Sequence, residues 1–276
     1  MSHSQDMIFT LYGDYIRHRG GEAWTSSLIE LLGLFGMSEQ AVRSTLSRMS
    51  GKGWLESRKV GRRSLYALTP KCLKLLKEGA RRIFQPRRDP WDGRWRLLTY
   101  SIPESKRHLR RRLRQQLTWL GFGALHQATW ISPRDLRDEV EQIVNELQVR
   151  PFVEFFSAEH RGFASDEEIV ARCWNLEQLD DYYAAFIARY SPPFERHQAR
   201  LADGNGLDPG ECFVQRFMLI HEYRSSPYVA PNLPLELLPE GWLGERATQL
   251  FQHYHDLLVE DAVAFVDSVL KNQMSD

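Results

Sequence analysis

Between Gly36 and Pro70 the hydrophobic period of the chain switches from that of a helix to that of a strand, and each boundary is marked. Ser38 offers a capping hydroxyl to a helix over Glu39–Ser50, whose apolar residues Val42, Leu46 and Met49 fall on one side. Gly51-Lys52-Gly53 stops it. Two strand-like runs follow, Trp54–Arg58 and Ser64–Leu68, joined by the basic turn Lys59-Val60-Gly61-Arg62-Arg63. Thr69-Pro70 opens the next helix, threonine as cap and proline in the first turn. Upstream, Ser4–His18 carries Met7, Ile8, Leu11, Tyr12 and Tyr15 at helical spacing and ends at Gly20-Gly21. A second helix is expected over Ser26–Phe35, with Thr25 as its cap and Gly36 as its break. Two helices, a glycine turn, a capped third helix and a basic hairpin predict a winged helix-turn-helix over residues 1–85.

In such a unit the third helix enters the major groove of double-stranded DNA. Gln40, Arg43, Ser44, Ser47 and Arg48 lie off its apolar side. Arg43 suits the O6/N7 edge of guanine and Gln40 the N6/N7 edge of adenine. Ser44 and Ser47 suit phosphate or base contacts. Arg58, Lys59, Arg62 and Arg63 in the wing suit phosphate or the minor groove. The competing interpretation is a solvated helix face beside a charged edge hairpin, since edge cations also discourage aggregation.

The charge distribution agrees with a polyanionic partner. Residues 1–90 hold 16 Lys and Arg against 8 Asp and Glu, a net +8. Residues 91–150 carry +4 and residues 151–276 carry −12, so the formal charge of the whole is zero. No apolar run approaches the ~18 residues of a membrane span. Met1–Thr10 lacks the basic-then-apolar pattern of a secretory signal, so the expected location is cytoplasmic. Cys72, Cys173 and Cys212 are too scattered for a disulfide framework or a metal pair; small buried residues or a lone reactive thiol remain.

Gln85-Pro86-Arg87-Arg88-Asp89-Pro90 reads as a linker. After it come a strand at Arg94–Ile102, a helix capped by Ser105 with Leu109, Leu113, Leu117 and Leu120 in a stripe, strands at Phe122–Leu125 and Ala128–Ser132, a helix from Pro133 to about Leu147, and a strand at Phe152–Phe156. This βαββαβ order predicts a ferredoxin-like middle domain over residues 91–160. Its first helix is unusually basic, with Lys106, Arg107, Arg110, Arg111, Arg112 and Arg114 around the leucines. That face extends a DNA footprint, meets ligand phosphates, or is simply wet.

Residues 165–276 read as a mostly helical C-terminal domain, which makes the whole chain α+β. Ser165 caps a helix with acids in its first turn, and Asn175 caps another to about Tyr190. Glu211–Tyr223 is helical, a proline-rich turn spans Pro227–Pro239, and a last long helix covers Gly244–Leu270. His221-Glu222 lacks the second histidine of a zinc protease motif. His253 and His255 point to different helix faces, so no metal site is expected, nor any catalytic group or cofactor.

Several short motifs together carry a family resemblance. They are Trp91-Asp92-Gly93-Arg94-Trp95, Ile102-Pro103-Glu104, and Gly121-Phe122-Gly123 leading to Trp130-Ile131-Ser132-Pro133. Farther on come Arg216, Ile220-His221-Glu222-Tyr223-Arg224, and Leu233-Pro234 to Leu237-Leu238-Pro239 with Gly241-Trp242. Together these motifs resemble the PaaX-type family of repressors of phenylacetate catabolism, and the resemblance covers nearly the whole chain. It implies a homodimeric repressor, not an enzyme, that binds an operator near genes of aromatic-acid breakdown and is released by an aryl-coenzyme A thioester such as phenylacetyl-CoA. Ala230-Pro231-Asn232 departs from the Asp-Pro expected before the Leu-Pro pair. Such an ester needs cations for its phosphates and an apolar slot for its acyl group. Arg216, His221, Tyr223, Arg224 and Trp242 are the candidates, against the alternative of structural ion pairs. The middle domain also resembles the small CRISPR-associated adaptation nuclease, whose first strand would end in an aspartate for Mg²⁺; here Leu98-Thr99-Tyr100-Ser101-Ile102 carries none. An activator working through the acidic tail is a third possibility.

Overall fold

The computed structural model describes residues 3–85, 89–224 and 233–272. The architecture is α+β, with two antiparallel sheets among many helices. Contacts divide the chain into two compact units that do not follow sequence order. The first comprises the described residues of Met1–Gln85, Phe186–Arg224 and Arg246–Asp276. The second comprises those of Pro86–Ala185 and Ser225–Glu245. Among the described residues no helix is long and apolar enough to cross a membrane.

The first unit begins with α1 (His3–Asp14), β1 (Glu22–Trp24), α2 (Thr25–Gly33) and α3 (Glu39–Gly51). The Ser38 hydroxyl accepts from the Ala41 amide, as its position before the apolar stripe predicts. Thr25 does not cap α2. Its hydroxyl donates to the Ser64 carbonyl, and Trp24 occupies the cap position without a side-chain bond. The strand Glu22–Trp24, unforeseen in the sequence, makes that contact possible. It pairs with β3 (Arg63–Leu68), which pairs in turn with β2 (Leu55–Val60), giving the order β1-β3-β2. Thr69 caps α4 (Pro70–Phe84) by accepting from the Cys72 amide.

The helices that complete this unit come from the far end of the chain. They are the later part of α8 (Leu176–Ala202), α9 (Pro209–Tyr223), α10 (Gly244–Leu257) and α11 (Val259–Asn272). Helix α9 packs on α1 and α11, and α11 also packs on α2. Aromatic rings fill the seam: Phe35 stacks on Phe217 at 4.2 Å between centroids, and Tyr15 meets Phe213 edge-on at 5.3 Å. Two sequence expectations fail here. Helix α8 does not end near Tyr190 but runs through Pro192 and Pro193. Proline keeps a helical φ, and packing of Tyr190, His197 and Tyr254 in the core outweighs the lost backbone bonds. The last helix is two, broken at the buried Leu258.

The second unit is a four-stranded antiparallel sheet, order β5-β6-β4-β7. Its elements run β4 (Trp95–Tyr100), α5 (Arg107–Leu120), β5 (Gly123–His126), β6 (Thr129–Ser132), α6 (Arg137–Glu146) and β7 (Val153–Ala158). Strand alternation sends Leu98, Tyr100 and Trp130 to one face, where α5 and α6 bring Leu113, Leu117, Val140 and Ile143. Trp95 and Ile131 go to the other, where they meet Ile169 and Val170 of α7 (Asp166–Cys173) and Trp174 just after it, with Leu233 and Leu237. At Gly123 a Cβ would stand 2.7 Å from both Cys173 and Trp174, so only glycine lets α7 approach β5. Ser105 does not cap α5; a short 3-10 turn, Glu104–Lys106, leads into it instead. Ser165 does cap α7, in a capping box with Glu168. The turn expected over Pro227–Pro239 lies outside the described residues as far as Asn232, as does Pro86–Arg88 of the linker.

Candidate nucleic-acid interface

Helix α3 is divided by burial. Val42, Leu46 and Met49 are buried, and Thr45 with them, whereas Gln40, Arg43, Ser44, Ser47 and Arg48 are exposed. The exposed residues make only local bonds. Arg43 Nε donates to Glu39 Oε1 at 2.8 Å, with both side chains more than half exposed. A pair of this kind contributes only about 0.3–0.5 kcal/mol, so the guanidinium readily changes partner. Arg48 reaches Thr45 Oγ1 at 2.9 Å, and the Ser44 hydroxyl donates to the Ala41 carbonyl. Glu39, Gln40, Arg43 and Ser44 line a shallow hollow at the start of the helix.

The hairpin is tighter than the sequence suggests, because strand pairing continues to Val60 opposite Arg63. Gly61 and Arg62 alone form the turn. Gly61 has φ +60°, the conformation that the first central residue of such a turn requires. Strand β2 is one edge of the sheet, and Glu56 through Arg62 are exposed. Lys59 and Arg62 hold no ion pair among the described residues. Arg58 reaches Glu22 at 3.4 Å, and the Arg63 guanidinium sits 5.4 Å from the Trp24 ring centroid. Trp24 and Glu22 thus steady two hairpin cations, a role with no local sequence signal.

The five effector candidates divide between the units: Arg216, His221, Tyr223 and Arg224 lie on or at the end of α9 in the first, and Trp242 lies in the second. Arg216 is 4% exposed, and its Nη1 pairs with Asp14 of α1. Its Nε donates to the His255 carbonyl, and His255 faces the same Asp14 at 3.4 Å. Burial alone would raise the Asp14 carboxyl, but the His255 hydrogen bond and the Arg216 charge outweigh it and hold it below the usual range. Arg224 pairs with Asp6 at 3.1 Å. His221 Nδ1 lies 2.9 Å from the Thr10 hydroxyl. Burial, followed by the Arg224 charge, pushes that imidazole down to about 4. Tyr223 bonds Thr248 and stacks on Phe251 at 4.0 Å. Trp242 belongs to the second unit, where it meets Tyr183. The partners of Arg216, His221 and Arg224, namely Asp14, Thr10 and Asp6, were invisible in the sequence because some two hundred residues separate each pair.

The remaining candidates resolve simply. Burial pushes the Cys72 thiol up to about 11 and the Cys212 thiol up to about 12, so neither is a nucleophile at neutral pH. His253 is exposed and His255 buried, on different faces of α10. In the motif Trp91–Trp95, Asp92 takes two bonds from the buried Arg96, at 2.7 and 2.8 Å. Arg96 thereby holds the Asp92 carboxyl below its ordinary range, and the motif serves to anchor β4.

Three family models match in chain order. They are a PaaX-like protein model over residues 3–72, a PaaX protein central Cas2-like domain over 88–170, and a PaaX-like protein C-terminal domain over 174–268. The Transcriptional repressor PaaX of Escherichia coli strain K12 is 36% identical over 265 residues, 94% of this chain and 82% of that protein. Among solved structures, the uncharacterized protein Rv0674 from Mycobacterium tuberculosis aligns with a TM-score of 0.54 at 24% identity, covering 90% of this chain and 91% of its own, a likeness of fold alone. The chain belongs to the PaaX family.

Proposed function

We propose that this chain is a transcriptional repressor of aromatic-acid catabolism genes of the phenylacetate type, working through a winged helix-turn-helix. The observation that carries the reading is the divided helix α3, apolar and buried on one side, polar and exposed on the other, followed by an edge hairpin bearing Arg58, Lys59 and Arg62 in the open. Helix α3 enters the major groove, where Arg43 and Gln40 read base edges and Ser44, Ser47 and Arg48 take phosphate or base contacts. Arg58, Lys59, Arg62 and Arg63 hold phosphates or the minor groove. The name of the Escherichia coli relative supports repression rather than activation. The chain acts as a homodimer, its two heads meeting half-sites roughly 34–36 Å apart or a multiple of that.

The effector is an aryl-coenzyme A thioester, with phenylacetyl-CoA as the first to test. To release DNA it binds a state of wrong head spacing more tightly than the operator-bound state. Of the five effector candidates, Arg216, His221 and Arg224 hold α1 of the head through Asp14, Thr10 and Asp6, so their part is to transmit the change. The second unit is ferredoxin-like and non-catalytic. A nuclease related to the adaptation enzymes would need a carboxylate at the end of β4, and Thr99, Tyr100 and Ser101 supply none.

The test is a gel shift with duplex DNA from upstream of the protein's own gene neighbourhood, with and without a panel of aryl-CoA thioesters and their free acids. A shift abolished by one thioester is expected. A shift that survives the panel removes the effector, and no shift removes the repressor.

A further inference from the structure

Helix α5 in the second unit is built against its own electrostatic interest. Arg107, Arg110, Arg111 and Arg114 recur at intervals of three and four, so they form a single row along one side. Like charges at those intervals repel and destabilise a helix. The first turn also holds basic residues and no acid, which opposes the positive end of the helix dipole. Glu104, bonded to Arg110 at 2.8 Å, is the one carboxylate partner of this row among the described residues. A merely solvated face is ordinarily mixed in sign. A same-sign row at a helix start is relieved by an anion.

The row does not stand on a flat surface. It lines an open groove of about 900 Å³ that continues to Gln115, Thr118 and the edge of Trp130, with no carboxylate in its walls. A second hollow of the same unit makes the contrast. It measures about 380 Å³ and sets Arg96, Arg137 and Arg150 against Asp135 and Glu141, so its charges are met internally. From Arg107 to Arg114 the row spans about 10 Å at 1.5 Å per residue. That is room for a run of two or three phosphates, with the uncharged end of the groove left for an organic group.

We propose that the α5 groove binds a small organic molecule carrying a run of two or three phosphates, with Arg107, Arg111 and Arg114 as its cationic wall. The proposal stands on this row and groove and does not depend on the operator-binding reading of the first unit.

The test uses the full chain and three probes, ADP, ATP and inorganic tripolyphosphate, with calorimetry and thermal melting at low and moderate salt. ATP and tripolyphosphate are expected to bind saturably and to raise the melting temperature, as any ligand of the folded state does. The double substitution Arg111→Gln/Arg114→Gln should weaken binding about ten- to a hundredfold, since each charge-assisted contact is worth roughly tenfold. It should leave the ligand-free melt unchanged or higher, because both side chains are exposed and the repulsion is eased. The control is Arg112→Gln, an exposed arginine of the same helix outside the groove, which should leave affinity unchanged. Tighter binding of ATP than of tripolyphosphate, a phosphate chain of equal length, would place the organic group at Gln115 and Thr118. The proposal is overturned if no probe binds saturably, or if Arg112→Gln weakens binding as much as the double groove substitution does. It is overturned as well if the double variant binds the three probes as the parent chain does and loses affinity only for duplex DNA, run alongside them, which would make α5 a second DNA surface.

Discussion

Two sets of arginines in the first unit have opposite fates. Arg43 on α3 is 56% exposed by side chain and bonded to a neighbour one turn away; Arg216 on α9 is 5% exposed and paired with a carboxylate 202 residues distant. The first is cheap to detach and therefore available to a polyanion. The second is consumed by folding, because parting it from Asp14 would leave a buried charge uncompensated. A cation in the sequence says nothing of which fate awaits it; burial and partner decide.

The largest effect that would break this contrast is on stability. Arg216→Ala should cost about 3–5 kcal/mol in denaturant melts by orphaning Asp14, while Arg43→Ala should leave the melt nearly unchanged. Equal costs would mean that the two arginines are not different in kind. Acid sharpens the same point. The depressed Asp14 carboxyl contributes stability that is present above the ordinary carboxylate range and lost as pH falls through its lower folded value.

His221 acts in a higher window. Its folded value of about 4 lies below the ordinary imidazole value, so its contribution is complete above about 6.5 and declines as pH falls toward 4. Allowing for its partial exposure, about 2 kcal/mol should disappear across that range, and His221→Gln should flatten the stability profile there. An unflattened profile would assign the acid sensitivity elsewhere.

On DNA the exposed set should divide further. Arg43→Ala should cost about 1–3 kcal/mol on a specific site and much less on random DNA. Arg62→Ala should weaken both alike and lower the salt slope by about one. Equal behaviour of the two would move base reading off α3. Smallest of all is the Arg58–Glu22 pair, both partners well exposed. Glu22→Gln should change stability by less than about 0.5 kcal/mol, and a larger loss in a chemical melt would show the hairpin to be more rigid than an exposed edge implies.

What was legible in the sequence was local. Ser38, Thr69 and Ser165 announced their helices because a cap acts within one turn. The hairpin was legible from Gly61 and the alternation around it, and the βαββαβ order from successive changes of period. Thr25 and Ser105 looked like caps because any hydroxyl before an apolar run does; one went to Ser64 instead, and a 3-10 turn displaced the other. Strand β1 is three residues long, too short to carry a period, and exists because β3 offers it an edge. The exposed face of α3 could be named residue by residue from helical geometry alone. The commitments of Arg216 and Arg224 could not, since ion pairs to Asp14 and Asp6 leave no trace in spacing.

The aromatic seam between α1, Phe35 and α9 also bears on how the protein is made. Tyr15 and Phe35 rest on Phe213 and Phe217, and α2 on α11. A ribosome therefore releases the capped helix α3 and its hairpin long before the floor beneath them has been synthesised. A nascent chain broken off before Pro209 has α3 and its hairpin but not their foundation, and exposes apolar rings to chaperones and proteases. Truncated products should be cleared rather than left competing for DNA, so the fold itself screens for full-length chains.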